Sequence, residues 1–286
     1  MAIELLTSAE EFLARTYALR ATDPYRTNIL GSVATAVSDG SLTYDQYLWW
    51  VASDENRVIG AAMRTAPHGM VLSPMPDQAI RDLAHAVALH DDVLPSVSGP
   101  TSVVEKFIAE YKSTGSAGSR RDAKVEEELL LYALGKFVAP SGAGEMINAE
   151  RSDFDLILQW YVNFGQDTGV FMPNPEGSIK AGLSRGSYRF WIVDGVKVSL
   201  AGHAPLVDTP TGNIARIGPV YTPPNQRRRG YAGALTAALS KELLDQGARL
   251  MLYTDAKNPT SNSIYQKIGY EQIDQNAMFS FSVDDD

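Results

Sequence analysis

The chain has 286 residues, and at about 150 residues per domain this length favours two domains. With 44% hydrophobic and 21% charged residues it is ordinary for a globular protein, which excludes a disordered or fibrous chain. The net charge of -9 argues against a nucleic-acid partner, and the lack of cysteine excludes disulfides, thiolate metal sites and a cysteine nucleophile. No apolar run approaches the roughly 18 residues of a membrane span. We therefore expect a cytoplasmic protein with no metal site and no membrane partner.

The first half of the chain is predicted to begin with a strand and a helix. Residues 3–6 are mostly apolar, and the hydroxyl residues that follow precede glutamates by three positions, as in a capping box. Residues 49–52 and 58–61 flank a polar turn and predict a β-hairpin. Residues 100–111 then predict a helix that opens at a proline.

A small-residue stretch, Pro-Ser-Gly-Ala-Gly at residues 140–144, has little apolar surface to bury. It is the best candidate for an interdomain linker. We therefore predict domains at residues 1–140 and 145–286.

The second half is predicted to start again with the same elements. Residues 146–149 indicate a strand, and the apolar spacing of residues 154–162 indicates a helix. Asp194 and Gly195 form a strong hairpin signal between two apolar runs. Another proline opens a helix at residues 259–268.

The shared order of elements predicts that the two halves are related by duplication. The interval from the hairpin to the proline-initiated helix is about 18 residues longer in the second half. We therefore expect the chemistry to lie in the additional residues. The alternative is that the first half is an unrelated α+β domain.

The additional residues form a strand, a loop and a helix. Residues 214–221 are β-like, two prolines end that strand, and residues 230–244 are strongly helical. Three arginines and small residues stand where the helix begins, and the helix dipole favours an anion there. The pattern predicts a polyphosphate site; the alternative is a solvated basic turn.

Two motifs carry a resemblance to a known family. Arg227, Gly230 and Ala232, in the pattern Arg-x-x-Gly-x-Ala between a strand and a helix, resemble the acetyl-CoA pyrophosphate loop of the GNAT acyltransferase superfamily. Downstream, Asn258 and Tyr265 stand seven positions apart before a Gly-Tyr pair, which resembles that family's next element. The resemblance covers roughly residues 146–281. It implies an α/β (α+β) fold with a central mixed, mostly antiparallel sheet flanked by helices, here duplicated.

The resemblance also implies roles for individual residues. The end of the strand would offer backbone groups to the pantetheine arm, beyond a bulge at Gly218 and Pro219 whose alternative is a mere strand irregularity. The implied acetyl-CoA contacts are Val220, Tyr221, Thr222, Arg227, Arg228, Arg229, Gly230, Tyr231, Ala232, Gly233 and Asn258.

The implied catalytic residue is Tyr265, which would protonate the departing thiolate of coenzyme A. Its alternative role is that of a core aromatic residue, and the alternative for Asn258 is a helix cap. A general base for the amine is left open between His203 and Asp255, each of which is otherwise an ordinary loop residue.

We therefore expect an N-acetyltransferase that moves the acetyl group of acetyl-CoA to a primary amine of a small molecule or peptide, by direct transfer. The alternatives are a coenzyme-A-binding regulatory protein without turnover and a ligase-like transferase that uses a larger activated acyl donor. Whether the chain forms a homodimer is left open. The first half has Gly99 and Lys106 where the second has Asn258 and Tyr265, and we interpret it as a degenerate half that shapes or covers the substrate site.

Overall fold

The computed structural model describes residues 1–90, 94–116, 121–139, 142–170, 174–209 and 212–282. In these residues one sheet of twelve strands is flanked by nine helices. The strands are β1 (Ala2–Leu6), β2 (Gln46–Asp54), β3 (Arg57–Ala66), β4 (Met70–Leu72), β5 (Ser96–Pro100), β6 (Asp122–Leu134), β7 (Glu145–Asn148), β8 (Tyr188–Val193), β9 (Val196–His203), β10 (Ile214–Tyr221), β11 (Arg249–Asp255) and β12 (Tyr270–Ser282). The helices are α1 (Ala9–Arg15), α2 (Tyr17–Thr22), α3 (Asn28–Ser38), α4 (Asp77–His90), α5 (Thr101–Ser113), α6 (Phe154–Thr168), α7 (Pro175–Ser184), α8 (Tyr231–Asp245) and α9 (Pro259–Ile268).

The two halves of the chain exchange one strand each. The sheet order is β1-β2-β3-β4-β5-β12-β6-β11-β10-β9-β8-β7, so β12 lies beside β5 of the first half and β6 lies beside β11 of the second. The exchanged strands also pair with each other, from Tyr270 opposite Leu134 to Ser282 opposite Asp122. Each half is therefore completed by a strand from the other.

The strand order confirms the predicted duplication. If each strand of the first half is replaced by its equivalent in the second, β1 by β7 and so on to β6 by β12, and the reverse replacement is made as well, the sheet order is the original one read backwards. A pseudo-twofold axis between the halves requires this symmetry. The equivalent pairs β4–β5 and β10–β11 are parallel, and the other strand pairs are antiparallel. The predicted mixed, mostly antiparallel sheet is thus confirmed.

Helices cover both faces of the sheet in each half, because successive side chains of a strand point to opposite faces. In the first half Trp50 packs into the core under α4 and α5, while its neighbour Trp49 packs under α1 and α3. In the second half α8 and α9 cover one face, and α6 and α7 cover the other. Within the described residues, no helix is both long enough and apolar enough to cross a membrane.

Both predicted hairpins are confirmed. β2 and β3 pair through Asp54 opposite Arg57, and β8 and β9 pair through Val193 opposite Val196. In the second hairpin both Asp194 and Gly195 have positive φ, as a two-residue turn of the Asp-Gly type requires.

The predicted division near residue 140 separates the chain but not the sheet. Two residues of the expected linker, Pro140 and Ser141, lie outside the described residues. β6 precedes this point in the chain, yet it pairs on one side with β11 and on the other with β12. The division into domains at residues 1–140 and 145–286 stays a prediction.

Leu131 offers a test of the strand exchange. Its side chain is fully buried in β6 and packs with Ile214 and Met251 of the second half. We expect Leu131→Ala to lower the free energy of unfolding by about 2–5 kcal/mol, the usual cost of such a cavity. Although Leu131 belongs to the first half, we expect both halves to unfold in one shifted denaturant transition.

The control is Val125→Ala on the same strand, because Val125 is 43% exposed and should change stability by only about 0.5 kcal/mol. Tryptophan fluorescence follows both halves, since Trp49 and Trp50 lie in the first and Trp160 and Trp191 in the second. Two separate transitions, with only one shifted by Leu131→Ala, would contradict this prediction.

Candidate active site

A cleft opens in the second half where two parallel strands separate. The pairing of β10 with β11 runs only from Ile214 opposite Arg249 to Ile217 opposite Leu252. Both strands continue beyond that point, β10 to Tyr221 and β11 to Asp255. In the described part of the chain, the last four residues of β10 are therefore unpaired on the side that faces β11.

The predicted bulge lies at the mouth of this cleft. The register between β10 and β9 shifts between Ile217, opposite His203, and Val220, opposite Ala201. Gly218 and Pro219 occupy the shift and are joined by a cis peptide bond. Pro219 has no N–H to donate to a ladder, which is one physical reason for the break.

The loop after β10 is held in place by the first of the three arginines. Arg227 donates through Nε to the carbonyl of Thr222 at 2.9 Å and pairs through Nη2 with the carboxylate of Asp167. Its guanidinium carbon also lies 5.8 Å from the centroid of the Tyr221 ring. Arg228 and Arg229 are exposed, and among the described residues neither has an ion-pair partner. The loop thus presents two positive charges beside α8.

Helix α8 begins without a side-chain cap, whereas α7 and α9 are capped by Asn174 and Asn258. Its first intrahelical bond runs from Ala234 N–H to Gly230 O, at 3.0 Å, so the N–H groups before Ala234 have no partner within the helix. Gly230 has φ 81, which favours glycine, and the space where its Cβ would stand is open. This helix start can accept an anion from outside the protein.

The two residues of the second motif, Asn258 and Tyr265, differ in burial on helix α9. Asn258 is exposed and caps α9, since its Oδ1 accepts a hydrogen bond from Ser261 N–H at 3.0 Å. Tyr265 is half-buried, with its ring centroid 6.2 Å from that of Tyr270. Burial raises the pKa of Tyr265 to about 12, so the phenol keeps its proton near neutral pH. α9 also packs close to α8, because a Cβ at Gly233 would lie 3.2 Å from Cγ2 of Ile264.

A cavity of about 140 Å³ lies beside the bulge. It is lined by Leu42, Tyr161, Ser178, Arg185, Tyr188, His203, Ala204, Arg216, Gly218 and Pro219. One of these residues comes from the first half and the rest come from the second. The cavity and the cleft therefore meet at the same bulge of β10.

The structure separates the two candidate bases. His203 lines the cavity, and its Nδ1 lies 2.9 Å from the carbonyl oxygen of Ala204. A carbonyl only accepts hydrogen bonds, so the proton sits on Nδ1 and Nε2 keeps its lone pair. Burial lowers the pKa of His203, which favours this neutral form. Asp255 is exposed and does not line the cavity; its carboxylate accepts the N–H of Lys257 at 2.8 Å.

Among its described residues, the equivalent region of the first half has no such opening. A Cβ at Gly99 of β5 would lie only 2.6 Å from the carbonyl oxygen of Leu72 of β4. The next residue, Ser73, binds Ala61 of β3 through both its N–H and its hydroxyl, each at 2.9 Å. β4 and β5 thus stay together where β10 and β11 separate.

Known proteins resemble both the whole chain and its C-terminal region. Residues 206–279 match the family described as FR47-like protein. A GNAT-family acetyltransferase from Colwellia psychrerythraea superposes with a TM-score of 0.62 at 14% identity, covering 99% of this chain and 100% of that one. A tandem GNAT protein from the clavulanic acid biosynthesis pathway superposes with a TM-score of 0.60 at 11% identity, covering 97% and 98% of the two chains. The chain has a tandem GNAT fold. The GNAT fold that the two motifs implied is thereby confirmed.

One curated relative matches part of the chain. The mycothiol acetyltransferase of Paenarthrobacter aurescens (strain TC1) is 37% identical over 84 residues. The match covers 28% of this chain and only 26% of the relative, so the chain spans about a quarter of the curated relative it matches.

The two sequence motifs lie on the cleft side of this GNAT half, whereas His203, Gly218 and Pro219 are the cavity residues that the sequence analysis named. Tyr161, Ser178, Arg185, Tyr188 and Arg216 come from separate elements and form no local motif. The single available signal was Arg216, a charged residue inside the otherwise apolar strand β10.

Proposed function

We propose that this protein is an acyltransferase that moves the acetyl group of acetyl-CoA to a primary amine by direct transfer in a ternary complex. The observation that carries the proposal is the cleft between β10 and β11, which leads from the bulge at Gly218 and Pro219 to the uncapped start of α8. A long ligand with an anionic end and an extended arm fits this arrangement. Acetyl-CoA would supply the activated thioester.

The residues present fit such a ligand on two grounds. The N–H groups of Tyr231, Ala232 and Gly233 are unused by the helix and have no acidic residue beside them in the first turn, so they suit a pyrophosphate. The unpaired edge of β10 at Val220 and Tyr221 would hydrogen-bond the pantetheine amides as an added strand does. Arg227 would act indirectly by holding the loop, because its guanidinium is already engaged.

Tyr265 is the proposed general acid. With its pKa raised to about 12 the phenol stays protonated in the resting protein, so a proton is present for the sulfur as negative charge develops on it. In the described structure its hydroxyl has no hydrogen-bond partner, in contrast to the Tyr270 hydroxyl, which lies 2.9 Å from that of Ser240. The Tyr265 proton is therefore not held by another side chain.

His203 is the proposed general base. Its neutral form, with the lone pair on Nε2, can accept the proton that the amine loses. It also lies next to the bulge, since His203 is paired with Ile217 immediately before Gly218.

Two further facts support turnover over mere binding. A stretch of 84 residues resembles a relative named for acetyl transfer, and the cavity supplies a place for an acceptor beside the cleft. A regulatory protein that only binds coenzyme A has no need for that second site. Thiol release in the presence of acetyl-CoA and a panel of amines separates the two functions.

Gly230→Val tests the phosphate site. The β-branched side chain is strained at φ 81 and would stand in the open space before the α8 N–H groups. We expect the affinity for coenzyme A in calorimetry to fall by at least about tenfold. The wild type should bind one equivalent, because among the described residues an open cleft is present in the second half alone.

Gly247→Val is the matched control for this variant. Gly247 follows the other end of α8 with the same φ of 81 and the same open surroundings, so the backbone strain is equal and the binding site is untouched. Equal affinities of the two variants, or two equivalents bound by the wild type, would sink the assignment.

Tyr265→Phe tests the general acid. Removal of a hydroxyl without a partner should leave stability unchanged, whereas kcat and kcat/KM should both fall by roughly a hundred- to ten-thousand-fold. The contrasting variant is Tyr270→Phe, which breaks a buried hydrogen bond and should cost about 1 kcal/mol of stability without loss of turnover. Full turnover by Tyr265→Phe would return this residue to a packing role.

His203→Gln tests the base through the pH profile of kcat/KM. Because the neutral imidazole is the active form and its pKa is lowered, the wild-type rate should decline only below the ordinary histidine pKa of about 6.5. The variant should lose this limb and most of its rate with the same amine. His85→Gln, on the exposed side of α4, should keep both. A wild-type profile retained in His203→Gln would contradict the role.

A further inference from the structure

The cavity beside the bulge has a charge that is opposite to that of the whole protein. The chain has 34 acidic and 25 basic residues, yet the ten residues that line the cavity include two arginines and no carboxylate. Three tyrosine or serine hydroxyls, from Tyr161, Ser178 and Tyr188, complete its polar lining. Such a lining favours an anionic ligand.

Arg216 is the central charge of this cavity. It is half-buried, and its described hydrogen bonds go to neutral groups, from Nε to Asn28 Oδ1 at 3.1 Å and from Nη2 to Ser32 Oγ at 3.3 Å. Among the described residues no aspartate or glutamate lies within ion-pair distance of it. A guanidinium has five N–H donors, so these two bonds leave most of its donors unused.

A partly buried charge loses part of its hydration, and proteins normally pair such a charge. Burial lowers the pKa of Arg216, but an arginine stays protonated near neutral pH. Arg185, exposed at the rim of the same cavity, likewise has no ion-pair partner among the described residues. The cavity therefore holds two positive charges that no carboxylate of the described residues balances.

The backbone of Arg216 lies close to the bulge and to His203. Ala204 N–H donates to the carbonyl of Arg216 at 2.9 Å, and His203 pairs with Ile217, the next residue of β10. His203 and Arg216 both line the cavity, so one small molecule bound there can contact both residues. At about 140 Å³ the cavity has room for roughly four to five water molecules of ~30 Å³ each, which suits a small polar end.

We propose that the acyl acceptor carries a carboxylate a few bonds from its amine, as an amino acid does, and that Arg216 binds this carboxylate while Arg185 adds attraction at the rim. A planar carboxylate matches the fork of a guanidinium, and the neighbouring hydroxyls can donate to it. The proposal rests on the proposed acyl transfer and specifies its substrate class.

The test uses pairs of compounds that differ only in the charge. Amino acids and their α-carboxamides are offered as acceptors with acetyl-CoA, and thiol release gives kcat/KM for each. We expect at least one acid to be preferred over its amide by about tenfold or more, the discrimination that one charge-assisted contact gives. Arg216→Gln should abolish the preference for the acid by raising its KM, and Arg216→Lys should keep part of that preference. Arg57→Gln, at an exposed hairpin turn, is the control and should leave the preference unchanged.

A binding measurement makes the result independent of turnover. N-acetylated amino acids and their amides are titrated into the protein saturated with coenzyme A. Preferential binding of the acids without any turnover would support the anion site and refute the proposed function. Turnover with equal use of acids and amides would refute the anion site and leave the proposed function standing. The anion site would also be refuted if no acid bound more tightly than its amide.

Arg216 also joins the two halves through Asn28 and Ser32, so its substitution can weaken the fold. Retained affinity of Arg216→Gln for coenzyme A shows that the variant is folded. Arg185→Gln is the second variant, because the Arg185 side chain is exposed and has no hydrogen bond or ion pair among the described residues. It should lower the preference for the acid several-fold with no change in stability, and an unchanged preference in both variants would overturn the proposal.

Discussion

The exchange of β6 and β12 is the constraint on which the rest of the structure depends. A strand that is paired on both sides by the other half of the chain cannot leave without opening two ladders. The two halves are therefore parts of one sheet and are expected to share one cooperative core. Every site at the junction of the halves, including the cavity, has its geometry fixed by this pairing.

The chain has two copies of one topology, and in the part that the structure describes one copy has an open cleft and the other has none. The opening needs a strand that runs on after its parallel neighbour has left it, and β10 does so for four residues while β4 ends after three residues in all. In the first half Gly99 lets the backbone of Leu72 come so close that no ligand could lie between the strands. The first half thus lacks both the phosphate loop and the cleft, and both differences go with the shorter β4.

The sequence predicted the features that local chemistry determines. The Asp194-Gly195 turn, the helix after Pro259 and the break at Gly218 and Pro219 follow from residues within a few positions of each other, and each is present. The strand exchange could not be predicted in this way, because β6 and β12 are separated by more than a hundred residues. The residue pattern of neither strand indicates which strand it pairs with. The cavity was missed for the same reason, since Leu42, Tyr161 and Arg216 meet only after the chain has folded.

The first half thereby has a physical role that does not require a ligand of its own. Its helix α3 supplies Asn28 and Ser32, which hold Arg216 through neutral hydrogen bonds, and its Leu42 closes one side of the cavity. A carboxylate in place of Asn28 would neutralise Arg216 and take from the cavity the charge that attracts an anion. Neutral support from the first half leaves the guanidinium in place and its charge free for a ligand. Under the proposed acyl transfer, the first half would thus help to determine which acceptor the second half takes.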